Sequence, residues 1–85
     1  MKRIVIFGST GSIGSSLLKI IKNDKKNFKI ELLTANKNYK KLIKQVKFFN
    51  VKKIILTDYN SFLIATKLLQ KTKVKVFNEL AFFVE

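Results

Sequence analysis

The sequence predicts an α/β chain: part of a doubly wound parallel sheet, with elements in the order β-α-β-α-β-α-β. Three observations carry that expectation. Short apolar runs of strand length alternate with segments of helical periodicity. A glycine-rich turn joins the first run to the first helix. With 85 residues and 47% hydrophobic content, the chain has room for one small domain with a marginal core, and it is too apolar for a disordered tail.

Ile4-Val5-Ile6-Phe7 is continuously apolar, as a strand buried on both faces requires. After the glycine turn, Ile13, Leu17, Ile20 and Ile21 fall on one helical face, which predicts a first helix packed through that stripe. Asn23 to Asn27 is a polar break, and Phe28 to Thr34 reads as the second strand. Tyr39 to Phe49 reads as a helix with Leu42, Ile43, Val46 and Phe49 inward and Lys40, Lys44 and Lys47 outward. Lys53 to Thr57 is a third strand. Asp58 is a suitable N-cap for a third helix carrying Phe62, Ala65, Leu68 and Leu69 inward. Val74 to Phe77 is a short fourth strand, and Asn78 is placed to cap a last helix. Strands alternating with helices in this way give a parallel sheet.

Composition removes many functions. There is no cysteine and no histidine, so a disulfide framework, a thiolate metal site and the commonest general base are excluded. No apolar run approaches the ~20 residues of a membrane span. The N-terminus is not a signal peptide, because its apolar run leads at once into the glycine turn; the cytoplasm is the expected location, with no membrane partner. The net charge of +13 invites a nucleic-acid reading. Against it, Arg3 is the only arginine, and Arg is the residue suited to bidentate phosphate and base contacts. The pattern also assigns most phenylalanines to the core and leaves few for base stacking. The lysine excess reads as compositional bias on solvated helix faces.

Gly8-Ser9-Thr10-Gly11-Ser12-Ile13-Gly14 lies between the first strand and the first helix. Gly8 suits a sharp turn, Gly11 leaves the backbone open to a pyrophosphate, and Gly14 suits close packing of the helix. The free N–H groups and positive end of that helix face the ligand. In this strand–turn–helix context the run is a Rossmann-type dinucleotide signature. The second strand ends in Thr34-Ala35-Asn36-Lys37-Asn38, with no carboxylate to bind a ribose 2′-hydroxyl; Glu31 lies inside the strand. Lys37 would attract a 2′-phosphate, which favours NADP over NAD.

The run from Ile4 to Gly14, the exit Leu33-Thr34-Ala35-Asn36-Lys37-Asn38, and Leu42, Gln45 and Phe48-Phe49 together resemble the N-terminus of the 1-deoxy-D-xylulose 5-phosphate reductoisomerase family. The likeness spans about residues 2–58. It implies an enzyme that rearranges a sugar phosphate, 1-deoxy-D-xylulose 5-phosphate, and reduces the product with NADPH to 2-C-methyl-D-erythritol 4-phosphate in non-mevalonate isoprenoid synthesis. A divalent metal, Mg or Mn, and a homodimer are implied for the full-length enzyme. Thr10, Gly11, Ser12 and Ile13 would contact the cofactor phosphates. Asn36, Lys37 and Asn38 would surround the adenosine ribose and its 2′-phosphate; family members often carry a small residue where Asn36 stands. The family's metal-binding carboxylates and its central and C-terminal helical domains have no counterpart here. The expectation is therefore that residues 1–85 are an incomplete N-terminal NADP-binding domain, a fragment with no catalytic and no metal-binding residue, inactive alone. Two other functions are consistent with the residues: an NADP-dependent reductase or epimerase of the extended short-chain type, and a basic nucleotide- or nucleic-acid-binding module without catalysis. The first needs a Tyr and Lys four residues apart, and neither Tyr39 nor Tyr59 has that partner.

Overall fold

The computed structural model describes residues 1–79. The elements are β1 (Lys2–Ile6), α1 (Ser12–Lys22), β2 (Phe28–Ala35), α2 (Tyr39–Phe49), β3 (Lys53–Leu56), α3 (Tyr59–Leu68) and β4 (Lys75–Phe77), with one 3₁₀ turn at Lys25–Asn27 before β2. This is the predicted order, with strand ends moved by one or two residues. The helix expected after Asn78 lies outside the described residues.

All strand pairs are parallel and the sheet order is β1-β2-β3-β4. Each helix returns the chain to the start of the next strand, so consecutive crossovers of one hand place the helices on one face. The core confirms it. Leu18 and Ile21 of α1, Leu42 and Val46 of α2, and Ala65 of α3 with Leu69 just beyond it join Ile6, Ile30, Leu33, Ile54 and Leu56 in one buried cluster. Strand alternation sends Val5, Leu32, Thr34 and Ile55 to the other face. Opposite Ile4/Val5 the register slips by one, leaving Glu31 of β2 as an extra residue; without it Leu32 and Leu33 would exchange faces.

Three packing expectations change. Of the four residues expected inward in α1, Ile21 is buried, together with Gly14 and Leu18, whereas Ile13 is 86% exposed and Leu17 and Ile20 are exposed as well. The helix meets the sheet along its 14-18-21 line, and the apolar stripe beside it faces past the edge of β1. There Val5, Phe7, Ile13 and Leu17 line an open cleft of about 470 Å³. Leu68 of α3 points outward, 61% exposed, while Ala65 and Leu69 are buried as expected. Phe28, Phe49 and Phe62 do pack against the core, each partly buried, whereas Phe7 is 63% exposed and Phe48 is exposed too. Among the described residues β1 pairs only with β2, so one of its edges carries no strand.

Candidate functional site

The turn from β1 into α1 is built by glycine at two places for two reasons. Gly8 has φ +65°, in the left-handed region that a side chain resists. Its N–H donates to Thr34 Oγ1 at 2.9 Å, and Ser9 N–H donates to the Thr34 carbonyl at 2.9 Å. At Gly14 a Cβ would lie 2.5 Å from the Gly8 carbonyl oxygen and 2.7 Å from Ser9 Cα, so the helix rests directly on the turn. Gly11 differs. It has an ordinary φ of −75°, and a Cβ there would meet only the Gly8 carbonyl oxygen, at 3.4 Å. Nothing among the described residues demands glycine at position 11, and the turn is open to the outside there.

A polar frame holds the turn against α2. Ser9 is fully buried. Its hydroxyl donates to Gln45 Oε1 at 2.8 Å, and Gln45 Nε2 returns a hydrogen bond to the Ser9 carbonyl at 2.9 Å. Lys41 Nζ donates to the Thr10 carbonyl at 3.0 Å. Ser15 Oγ donates to the Ser9 carbonyl at 3.3 Å. Sequence reasoning gave none of these side chains a role in the turn. The available signal was Gln45 itself, a polar residue flanking an apolar helix face, three residues after Leu42 and one before Val46.

The exit of β2 lies beside the turn, because Ile6 pairs with Leu33 and Thr34 holds Gly8 and Ser9. Asn36, Lys37 and Asn38 are all exposed there. Asn36 Oδ1 accepts from the Thr57 hydroxyl at 2.9 Å, and its carbonyl accepts from Asp58 N–H. Asn36 has no positive φ, so a side chain is carried at that position without backbone strain. Lys37's carbonyl accepts from Tyr39 N–H and the Ser61 hydroxyl. Asn38 caps α2, its Oδ1 accepting from Lys41 N–H at 3.2 Å. Asp58 caps α3 as expected, accepting from Ser61 N–H at 3.0 Å and the Ser61 hydroxyl at 2.7 Å. Those two Ser61 bonds, helped by the charge of Lys37, hold its carboxyl below the ordinary carboxylate range. Glu31, inside β2, pairs with Arg3 at 3.4 Å.

The structure therefore brings together the two predicted groups, Thr10 to Ile13 and Asn36 to Asn38, at the ends of adjacent parallel strands. The Ile13 side chain faces the open cleft beside β1, so a phosphate would meet residue 13 through its backbone N–H. The two later helices have side-chain caps, whereas α1 has none and no acid in its first turn. Its first amides have no carbonyl inside the helix to pair with. An anion fits there, and the open side of Gly11 fits its approach. Among the described residues no three His, Cys, Asp or Glu side chains gather to hold a metal, and no helix is long and apolar enough to cross a membrane.

A parallel sheet, a glycine turn into an uncapped helix, and a second-strand exit free of acid define a Rossmann-type domain of the dinucleotide-binding class. More narrowly, the chain belongs to the 1-deoxy-D-xylulose 5-phosphate reductoisomerase family, whose model matches residues 4–82. The match runs well past residue 58, where the resemblance in sequence motifs stopped. The chain is 83% identical over 78 residues to the 1-deoxy-D-xylulose 5-phosphate reductoisomerase of Pelagibacter ubique HTCC1062, covering 92% of this chain and 20% of that protein. It is 39% identical over 74 residues to the Clostridium botulinum 657 enzyme of the same name, covering 87% of this chain and 19% of that one. Among solved structures, the Zymomonas mobilis reductoisomerase in complex with NADPH superposes with a TM-score of 0.83 at 29% identity, covering 89% of this chain and 20% of that one. A reductoisomerase in complex with NADPH, fosmidomycin and magnesium matches in fold over 100% of this chain and 21% of its own, with a TM-score of 0.89 at 23% identity. The chain thus spans about a fifth of the length of the relatives it matches.

Proposed function

We propose that residues 1–85 form the N-terminal NADPH-binding portion of a 1-deoxy-D-xylulose 5-phosphate reductoisomerase. The observation that carries this reading is the meeting of an uncapped, glycine-led helix with an acid-free strand exit, in a chain of that family. Thr10, Gly11, Ser12 and Ile13 are the contacts for the cofactor pyrophosphate; the Gly11 N–H is spent on the Gly8 carbonyl at 3.1 Å, so the free backbone donors are those at the start of α1. Asn36, Lys37 and Asn38 are the contacts for the adenosine ribose and its 2′-phosphate. Two local facts support the second group. Asn38 spends its oxygen on the helix cap, which leaves its NH₂ donors for a ligand. Among the described residues the acid near the exit, Asp58, is held by Ser61.

NADPH supplies a hydride to the rearranged sugar phosphate when bound; this chain's part is to hold the cofactor. The divalent Mg or Mn site, the sugar-phosphate pocket and the homodimer contacts are assigned to the remaining four-fifths of the length seen in the relatives, and the residues here carry no catalytic role. The location that goes with this reading is the cytoplasm. Two measurements test it. Titration of the protein carrying these residues should show NADPH binding tighter than NADH. Addition of 1-deoxy-D-xylulose 5-phosphate and Mg to that protein should consume NADPH, while the 85-residue chain alone should not. Equal affinity for the two cofactors, or steeply salt-dependent DNA or RNA binding that displaces NADPH, overturns the reading.

A further inference from the structure

Lys41 stands between the two halves of this site. It lies in the first turn of α2, its backbone N–H bonded to Asn38 Oδ1 at 3.2 Å and its Nζ to the Thr10 carbonyl at 3.0 Å. One residue therefore ties the exit of β2 to the glycine turn. Its charge is also differently placed from that of Lys37. Lys37 acts on the Asp58 carboxylate and helps to lower its pKa, so part of its field is offset by an acid. The polar partner of Lys41 Nζ is a neutral carbonyl, that of Thr10. An ammonium carries three N–H groups, so two remain for a ligand. Lys40 and Lys41 also occupy the first turn of α2, which contains no acid. Cations there oppose the positive end of the helix dipole, and an anion bound beside them removes the conflict.

We propose that Lys41 is a second specificity-determining cation for the 2′-phosphorylated cofactor, acting beside Lys37; this rests on the NADPH reading above. The pyrophosphate is common to NADPH and NADH, so a cation that served it alone would strengthen both equally. A cation between Thr10 and Asn38 that reads the 2′-phosphate strengthens only NADPH. The test compares Lys41→Met, Lys41→Arg and the parent protein carrying these residues, titrated with NADPH and with NADH by cofactor fluorescence. Loss of one charge-assisted contact is expected to raise the NADPH Kd about tenfold. The NADH Kd should move by less than about twofold, because an uncharged 2′-hydroxyl gains little from the ammonium. Lys41→Arg should restore most of the NADPH affinity. Lys41 is exposed, so the urea midpoint of unfolding should stay put in both variants. Equal weakening of both cofactors, or no weakening of either, overturns the proposal while NADPH binding stands. Failure of the parent to prefer NADPH overturns the cofactor reading as well, and the two failures are told apart by the parent alone.

Discussion

Replacing Gly14 with alanine tests whether helix α1 rests directly on the glycine turn. Two effects oppose each other. Alanine is a better helix former than glycine by about 1 kcal/mol. Against this, the new Cβ would sit 2.5 Å from the Gly8 carbonyl oxygen and 2.7 Å from Ser9 Cα. Both are backbone atoms of a turn pinned by Thr34, so no side-chain rotation relieves the overlap. Relief needs α1 to move away by roughly 1 Å, which strips contacts from Leu18 and Ile21, both buried. Overpacking of this kind costs about 1–3 kcal/mol, more where the backbone must shift. With backbone on both sides of the clash, the upper end applies, and the net loss is about 2 kcal/mol. A chain of 85 residues has roughly 4–13 kcal/mol in total. A urea slope of about 1–1.5 kcal/mol per molar then lowers the midpoint by roughly 1.3–2 M. The assay is urea unfolding followed by far-UV circular dichroism, with Gly11→Ala as the companion. At position 11 the Cβ meets one atom at 3.4 Å and φ is ordinary, so that variant should unfold within about 1 kcal/mol of the parent yet bind NADPH more weakly. A Gly14→Ala chain as stable as the parent would refute the packing argument. A Gly11→Ala chain with unchanged cofactor affinity would refute the claim that glycine there serves an outside ligand.

Three further outcomes follow from the same geometry. Gln45→Leu strips the Ser9 carbonyl and hydroxyl of their shortest partners in a fully buried position, at a cost of about 1–3 kcal/mol; the Ser9→Ala/Gln45→Leu double variant should lose less than the sum of the single losses, read from thermal midpoints. The folded-state pKa of Asp58 is lowered, so its contribution to stability is present above the unfolded value near pH ~3.9 and fades as pH falls through the lower folded one. Asp58→Asn keeps a competent cap and should therefore flatten the acid limb of a stability–pH curve; an unchanged limb counts against the Ser61 bonds as its cause. The 85-residue chain by itself should self-associate through Val5, Phe7, Ile13, Leu17 and Ile20, and Leu17→Lys with Ile20→Lys should reduce its sedimentation mass. A chain that is monomeric at high concentration without those changes would sink this last expectation.

Where the sequence was legible, one period and one partner governed the residue. The α2 boundaries came out as Tyr39–Phe49, because the apolar spacing of Leu42, Ile43, Val46 and Phe49 runs over that segment. Asp58 was legible for a similar reason, an acid directly ahead of a helical run. The acid-free exit of β2 was legible because it depends on which residues are there, not on how they pack. The frame behind the glycine turn was not. Ser9 of the turn, Thr34 of β2, and Gln45 and Lys41 of α2 lie far apart in sequence, and only the parallel pairing of β1 with β2 and the return of α2 bring them within hydrogen-bonding distance. The Glu31 register slip was equally hidden, since period 2 alone gives no sign of an extra residue.

The error at α1 explains the most about this chain. The stripe at 13, 17 and 20 is apolar and the line at 14, 18 and 21 is apolar, so α1 offers two adjoining faces to bury. Helical periodicity alone cannot rank them. Gly14 can, because the side without a Cβ is the side that touches the turn, and the sheet follows from there. The remaining stripe continues the apolar surface of Val5 and Phe7 at the unpaired edge of β1. In doubly wound sheets the first strand is flanked on both sides, and ligands bind at the crevice where the strand order reverses. On the proposed reading, the cleft beside Gly8, Gly11 and Ile13 would be one side of that crevice. The glycine turn and the uncovered edge line one cleft, so on the proposed reading an element packed on β1 would also wall the pyrophosphate site. It follows that NADPH should bind the 85-residue chain more weakly than the protein that carries it, and that cofactor and edge cover should stabilise each other. Equal affinity in the two would show that the turn is complete without its second wall.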